Sequence, residues 1–274
     1  MTVPAIKLND GNAIPQLGFG VWQVGNDEAA AVVEKALKTG YRHIDTAAIY
    51  GNEEGVGKAL KNSGVARGDI FLTTKLWNAD QGHDSALRAF EASLKRLGTD
   101  YVDLYLIHWP VPAQDRFPDS WRALIKLKEE GRAKSIGVSN FRIADLERVI
   151  SETGVTPVLN QIELHPRFQQ NELRVFHEKK GIATEAWSPL GQGKILENPD
   201  LKQIAEKHGK TVAQIILRWH LDIGNIVIPK SVTPARIEEN FDVFGFKLTS
   251  GDHDTISTLN DMHNGRIGPH PDSV

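Results

Sequence analysis

The sequence predicts an α/β fold: a (β/α)8 barrel with an N-terminal β-hairpin and a short C-terminal loop. Two observations lead there. From Leu17 onward, eight short apolar segments are each followed by a helical pattern. Strict alternation of strand and helix calls for a parallel sheet covered by helices, and eight such units in about 250 residues is the size of a closed barrel. The second observation concerns glycines. An open dinucleotide-binding sheet would carry G-x-G-x-x-G between its first strand and helix. Here the first turn reads "GFGVWQ", without the third glycine, and "GNEEGVG" has the wrong order.

The elements follow in order. "AIKL" and "AIPQL" flank the turn "NDGN", where Gly11 supplies positive φ, and read as a hairpin. "LGFGV" is strand-like, and "DEAAAVVEKALKTG" is a helix with an acidic start and Gly40 as its stop. The strand "RHID" precedes the helix "NEEGVGKALKNSG", ending at Gly64. "IFLTTKL" precedes "DSALRAFEASLKRLG", ending at Gly98. "YVDLYLIHW" precedes "FPDSWRALIKLKEEG", ending at Gly131. "AKSIGVSN" precedes "IADLERVISETG", and "VLNQIEL" precedes "ELRVFHEKKG". "IATEAW" is followed by two helices, "LKQIAEKHG" and "TVAQIILRWHLDIG", and "NIVIPKSV" by "ARIEENFDVF". No linker, repeat or low-complexity run interrupts the chain, so residues 1–274 read as one domain.

Composition narrows the function. The chain has 274 residues, 40% hydrophobic and 24% charged, as expected of a globular protein. A net charge of −3 gives no nucleic-acid footprint and no polybasic membrane patch. No cysteine is present, which excludes disulfides, thiolate metal sites and a cysteine nucleophile. The N-terminus lacks the basic, apolar and cleavage regions of a secretory signal, and the longest apolar windows are too short to span a bilayer. A cytoplasmic monomer is expected.

In such a barrel, catalytic groups sit at the C-terminal ends of the strands. The second strand ends in Asp45, the third in Lys75 with Trp77 after it, and the fourth in His108 followed by Trp109. The fifth ends in Ser139 and Asn140, and the sixth carries Gln161 and Glu163. Trp187 and Ser188 end the seventh, Lys230 and Ser231 the eighth. Singly, each is open to a plain reading as a cap, a snorkelling chain or a satisfied core group. Together they face one mouth.

"GYRHIDTAAIYGNEEGVG", "LTTKLW", "DLYLIHWP", "SIGVSN", "LNQIELHP" and "VIPKSVTPARIEENFDVF" resemble, in order and over nearly the whole chain, the signature segments of the aldo-keto reductases. With "LNDGNAIPQLGFG" and "WSPLGQGK", the text is most similar to the bacterial 2,5-diketo-D-gluconate reductases. The resemblance implies NADPH-dependent reduction of aldehydes and ketones, with a catalytic tetrad of Asp45, Tyr50, Lys75 and His108. A phenol titrates near 10, and a nearby ammonium favours its anion. Asp45 then orients Lys75, Lys75 lowers the Tyr50 pKa, Tyr50 donates the proton, and His108 aligns the carbonyl.

The same resemblance implies a cofactor site for NADP(H). Trp187 stacks on the nicotinamide, and Ser139, Asn140 and Gln161 bond its carboxamide. The backbone of Ser188, Leu190 and Gly191 meets the pyrophosphate. Lys230, Ser231 and Arg236 bring two cations and a hydroxyl to a helix start, a suitable seat for a ribose 2′-phosphate. Ile228 and Val232 are further contacts, and Glu239 and Asn240 reach the adenine. Trp22, Trp77 and Trp109 wall the substrate pocket with Tyr50 and His108. Gly51, Gly55 and Gly57 allow a turn and close helix approach rather than phosphate binding. The short tail "NDMHNGRIGPHPDSV" suggests an open site. Two rivals remain: a cofactor-binding regulatory subunit without turnover, and a metal-dependent hydrolase using His43, His108 and His165.

Overall fold

The computed structural model describes residues 3–274. Strands β1 (Ala5–Lys7) and β2 (Ala13–Pro15) form the hairpin, with Ile6 opposite Ile14 and Gly11 at φ +92° in the turn. It seals the N-terminal end of the barrel. Asn9 donates to Pro157 O (3.0 Å) and Gly181 O (3.1 Å), and Asn12 donates to Lys134 O (3.1 Å), all just before or at strand starts. Leu8 and Ile14 bury themselves against Leu104, Leu159 and Ile226.

Eight parallel strands then follow one another around the sheet. They are β3 (Phe19–Gly20), β4 (His43–Asp45), β5 (Phe71–Leu76), β6 (Val102–Ile107), β7 (Ala133–Ser139), β8 (Leu159–Glu163), β9 (Ala183–Trp187) and β10 (Ile226–Val227). The ring is closed by a narrow seam. Gly18 N donates to Val227 O (2.8 Å), Val227 N to Gln16 O (2.9 Å) and Gly20 N to Pro229 O (3.1 Å).

Helices α1 (Asn26–Thr39), α2 (Glu53–Asn62), α3 (His83–Leu97), α4 (Phe117–Glu129), α5 (Ile143–Thr153) and α6 (Asn171–Lys180) follow β3 to β8 singly. Both α7 (Pro199–His208) and α8 (Val212–Asp222) follow β9, and α9 (Pro234–Phe241) follows β10. Tyr41, Phe90, Phe117 and Trp121 fill the space between helices and sheet, each burial contributing roughly 1.5–3 kcal/mol. The glycine reading of the α2 region is confirmed. A methyl on Gly57 would lie 2.5 Å from Leu97 O at the end of α3, one on Gly55 would overlap Asn26 O, and Gly51 has φ +67°.

The strands at the seam are shorter than the sequence suggests. Pro229 has no N–H for a ladder, so "NIVIPKSV" supplies only Ile226–Val227. A helix absent from the sequence reading, α10 (Ser250–Thr258), begins at a reciprocal Thr249–Asp252 capping box. Lys207 (2.8 Å) and His208 (2.8 Å) of α7 bond the Asp252 carboxylate and dock α10. No helix among the described residues is long and apolar enough to cross a membrane.

Candidate active site

Asp45 is the last residue of β4, and its carboxyl is buried. The next residues turn once as a short 3-10 helix, Ala48–Tyr50, which brings the phenol back over the strand end. Lys75 is fully buried in β5. Its ammonium donates to Asp45 Oδ1 (2.6 Å) and Thr46 O (2.9 Å), and its third contact is the Tyr50 hydroxyl at 3.4 Å. Asp45 therefore fixes the position of a cation that points at the phenol.

The electrostatics of the phenol differ from the sequence expectation. Burial pushes Tyr50 above its ordinary value; Lys75 pulls it down, but Asp45 beneath pushes up again. The phenol is thus held protonated, and the Lys75 ammonium limits the rise. Burial works against the Lys75 charge, but Asp45, with Tyr50 and Glu185, outweighs it, so the ammonium persists. Burial and the neighbouring Lys75 hold His108 well below the usual imidazole range, so its ring is neutral. His108 Nδ1 is buried without a partner, which leaves Nε2 as the ring nitrogen accessible to the cavity. The ring meets Tyr50 edge-on at 5.7 Å and Trp77 at 5.3 Å.

These groups open into a cavity of about 460 Å³ at the C-terminal mouth of the barrel. Trp22, Ile49, Trp77 and Trp109 make apolar walls, while Asp45, Tyr50, His108, Asn140 and Gln161 form the floor. Trp187, Ser188, Ile228 and Lys230 line the remaining side. Lys75 sits below, in contact with Asp45 and Tyr50 of the floor.

The residues on that side suit a dinucleotide. The Trp187 indole is fixed by its N–H bond to Asn140 Oδ1 (2.8 Å), and the Asn140 amide donates to His108 O (3.0 Å) and Ser139 Oγ (3.0 Å). Gln161 gives its amide N–H groups to carboxyls below it, and among the described residues no donor reaches its Oε1. Lys230 and Arg236 are exposed cations that make no ion pair among the described residues, on either side of the α9 start. Ser231 Oγ accepts from Thr233 N (3.1 Å).

Other expected contacts lie apart from the cavity. Ser139 is buried and donates to Gln161 O (2.8 Å), so it braces Gln161 and Asn140 from behind. The Gly191 amide donates to Ser188 O (2.9 Å). Leu190, Ser231, Val232, Arg236, Glu239 and Asn240 do not line the cavity, and Glu239 accepts from the Thr211 hydroxyl (2.8 Å).

Gly268 and Pro269 of the short tail line the cavity. Ile267 N and Gly268 N donate to the two oxygens of Glu163 at 2.6 and 2.8 Å. Gly268 lies so close to Trp187 that an added methyl would sit 2.6 Å from the indole. Ile49, Gln23, Gln192 and Gly268 were missed by sequence reasoning; only the exposed apolar Ile49 beside Tyr50 gave a signal.

The three histidines of the hydrolase reading do not converge. His43 faces Thr73 and Glu185, His165 bonds Glu163, and among the described residues no group of three His, Cys, Asp or Glu could hold a metal ion.

The Aldo/keto reductase family profile matches residues 16–261, and the chain belongs to that family. It is 55% identical over 270 residues to the methylglyoxal reductase DkgA of Escherichia coli (strain K12), covering 97% of this chain and 96% of the relative. A crystal structure of an aldo/keto reductase from Brucella melitensis is 74% identical with a TM-score of 0.92, covering 94% of this chain and 100% of that one. A variant of Gox0644 in complex with NADPH is 52% identical with a TM-score of 0.96, covering 100% and 99%.

Proposed function

We propose that this protein reduces small aldehydes, ketones or dicarbonyls to alcohols with NADPH, Tyr50 giving the proton. The observation that carries this is the Asp45–Lys75–Tyr50 chain, which ends in a protonated phenol at the cavity floor beside a neutral His108. A nicotinamide held at this side of the cavity would supply the hydride needed by the carbonyl carbon. Tyr50 transfers its proton to the carbonyl oxygen, and the Lys75 ammonium stabilises the phenolate left behind. His108 holds the oxygen through Nε2. General acid catalysis of this kind contributes roughly 10²–10⁴-fold. Trp187, Asn140 and Gln161 receive the nicotinamide end, and Lys230 and Arg236 the 2′-phosphate. The site is lined by residues of a single chain, so turnover as a monomer would need no residue from a second copy. The apolar walls and the likeness to DkgA favour a compact dicarbonyl such as methylglyoxal, with 2,5-diketo-D-gluconate as a larger candidate.

The test is NADPH oxidation with methylglyoxal, 2,5-diketo-D-gluconate and a simple aldehyde, with and without chelator. Chelator-insensitive turnover supports the reductase. NADPH binding with no turnover of any carbonyl would instead make the protein a cofactor-binding subunit.

A further inference from the structure

Below the tetrad lies a second buried carboxyl. Glu185, in the middle of β9, is in register with Gln161 of β8 and Ile226 of β10. The Gln161 amide nitrogen donates to Asp45 Oδ2 (2.8 Å) and to Glu185 Oε2 (2.7 Å). Its two N–H groups are thereby used, one on each carboxyl. The flipped amide would set its oxygen against the Asp45 carboxylate, so this orientation is enforced. Oε1 is left for the cavity.

The two carboxyls are not equivalent. Asp45 has the Lys75 ammonium at 2.6 Å. Among the described residues Glu185 has no cation in hydrogen-bond reach, and its Oε1 is buried without a partner, 3.6 Å from His43 Nε2. The groups facing it are His43 and Asp45 on β4, Lys75 on β5, Tyr50 on the turn above and neutral Gln161 on β8. β3 and β10 present only Phe19, Gly20, Ile226 and Val227. His43 is itself neutral, burial having pushed it down to about 3. A buried carboxylate without its own cation is costly, so the carboxyl keeps its proton. Burial, and then the Asp45 charge, push Glu185 up to about 8.

We propose that Glu185 is a positioning residue for the reaction: as a neutral acid it holds Gln161 with Oε1 toward the nicotinamide carboxamide, and on losing its proton it puts a second negative charge under Lys75 and Tyr50 and slows reduction. The added charge offsets the ammonium and makes the phenol hold its proton more tightly. Proton transfer to the carbonyl oxygen then becomes harder, while the phenol remains protonated. This rests on the reading of the cavity as a nicotinamide site.

The experiment compares wild type, Glu185→Gln and Glu185→Ala between pH 6 and 9.5, following kcat, KM and NADPH Kd. The Gln variant is uncharged, can still accept from Gln161 and has nearly the same volume. It should match wild-type kcat at pH 6.5 and lack the alkaline fall, which in wild type reaches up to about tenfold one unit above its midpoint. The Ala variant should bind NADPH about fivefold to tenfold more weakly, through loss of the Gln161 brace. If Ala does not fold, the Gln comparison alone decides. Coincident wild-type and Gln profiles, with normal turnover, would overturn the role of Glu185 and leave the reductase reading standing. A wild type that neither binds NADPH nor turns over would overturn both.

Discussion

The Glu163 carboxylate at the end of β8 holds the backbone of Gly268 at 2.8 Å, and its other oxygen holds Ile267 at 2.6 Å. One side chain thus seats the tail against Trp187, across 105 residues of sequence. Burial raises the Glu163 pKa, but the His165 bond and the two backbone amides outweigh it and hold the group below its ordinary value. The contribution is therefore complete above the ordinary glutamate range and lost only as pH falls through the depressed folded value.

Glu163→Ala should release the tail while leaving the tetrad in place. We expect KM for the carbonyl to rise by about tenfold, kcat to change little, and amide exchange at Ile267 and Gly268 to accelerate. Unchanged exchange at those two amides would show that the tail is seated by other contacts.

Tyr50→Phe removes the hydroxyl at the end of the Lys75 chain and little else. A loss on the order of 10²-fold or more in kcat is expected, with NADPH affinity nearly kept. Near-normal turnover would rule out Tyr50 as the acid.

Arg236 lies outside the cavity, so its expected effect is confined to the cofactor's far end. Arg236→Ala should weaken NADPH by roughly tenfold to a hundredfold, the loss of one charge-assisted hydrogen bond. NADH, which lacks the phosphate, should be affected much less. Titration of both cofactors by tryptophan quenching measures the difference, and equal weakening would assign Arg236 to loop structure.

Buried neutral histidines, His108 and three others, should contribute to the acid limb of stability. Burial, above all, pushes His43, His177 and His220 each down to about 3. Between the unfolded value near 6.5 and the folded value, the unfolded chain binds protons that the folded one refuses. Stability is full above about 6.5 and falls as pH drops, by roughly 1.4 kcal/mol per unit for each histidine. His177→Gln should therefore show a shallower slope between pH 6 and 4 in denaturant titrations, even if it is less stable at pH 7. An unchanged slope would locate the acid sensitivity elsewhere.

The barrel, and the polar strand ends that meet at its mouth, were legible in the sequence for a physical reason. Strand ends such as Asp45, Lys75 and His108 break an apolar run with a polar group, and their order along the chain is their order around the ring. Contacts that join distant segments were not legible. Glu163 reads as one more strand-end acid until Gly268 is placed against it. Helix α10 was hidden because few apolar residues mark it; its buried side chains are Asp252 and Ile256, and its register is set by a cap and by α7. The pKa of Tyr50 depends on depth of burial, which no spacing of residues conveys.

The seam between β3 and β10 gives the barrel the mechanics of a bracelet with one clasp. Seven neighbouring strand pairs form named ladders, but the ring is joined at this point by the isolated Leu17–Val227 bridge and the few hydrogen bonds around it. The cavity straddles it, with Gly20 and Trp22 on one side and Ile228 and Lys230 on the other. Whatever fills the cavity therefore touches both halves of the clasp and acts as its pin. Hoop stiffness, rather than local packing, is what such an occupant would add, and the amides of Gly18, Gly20 and Val227 are where the stiffening would be felt first.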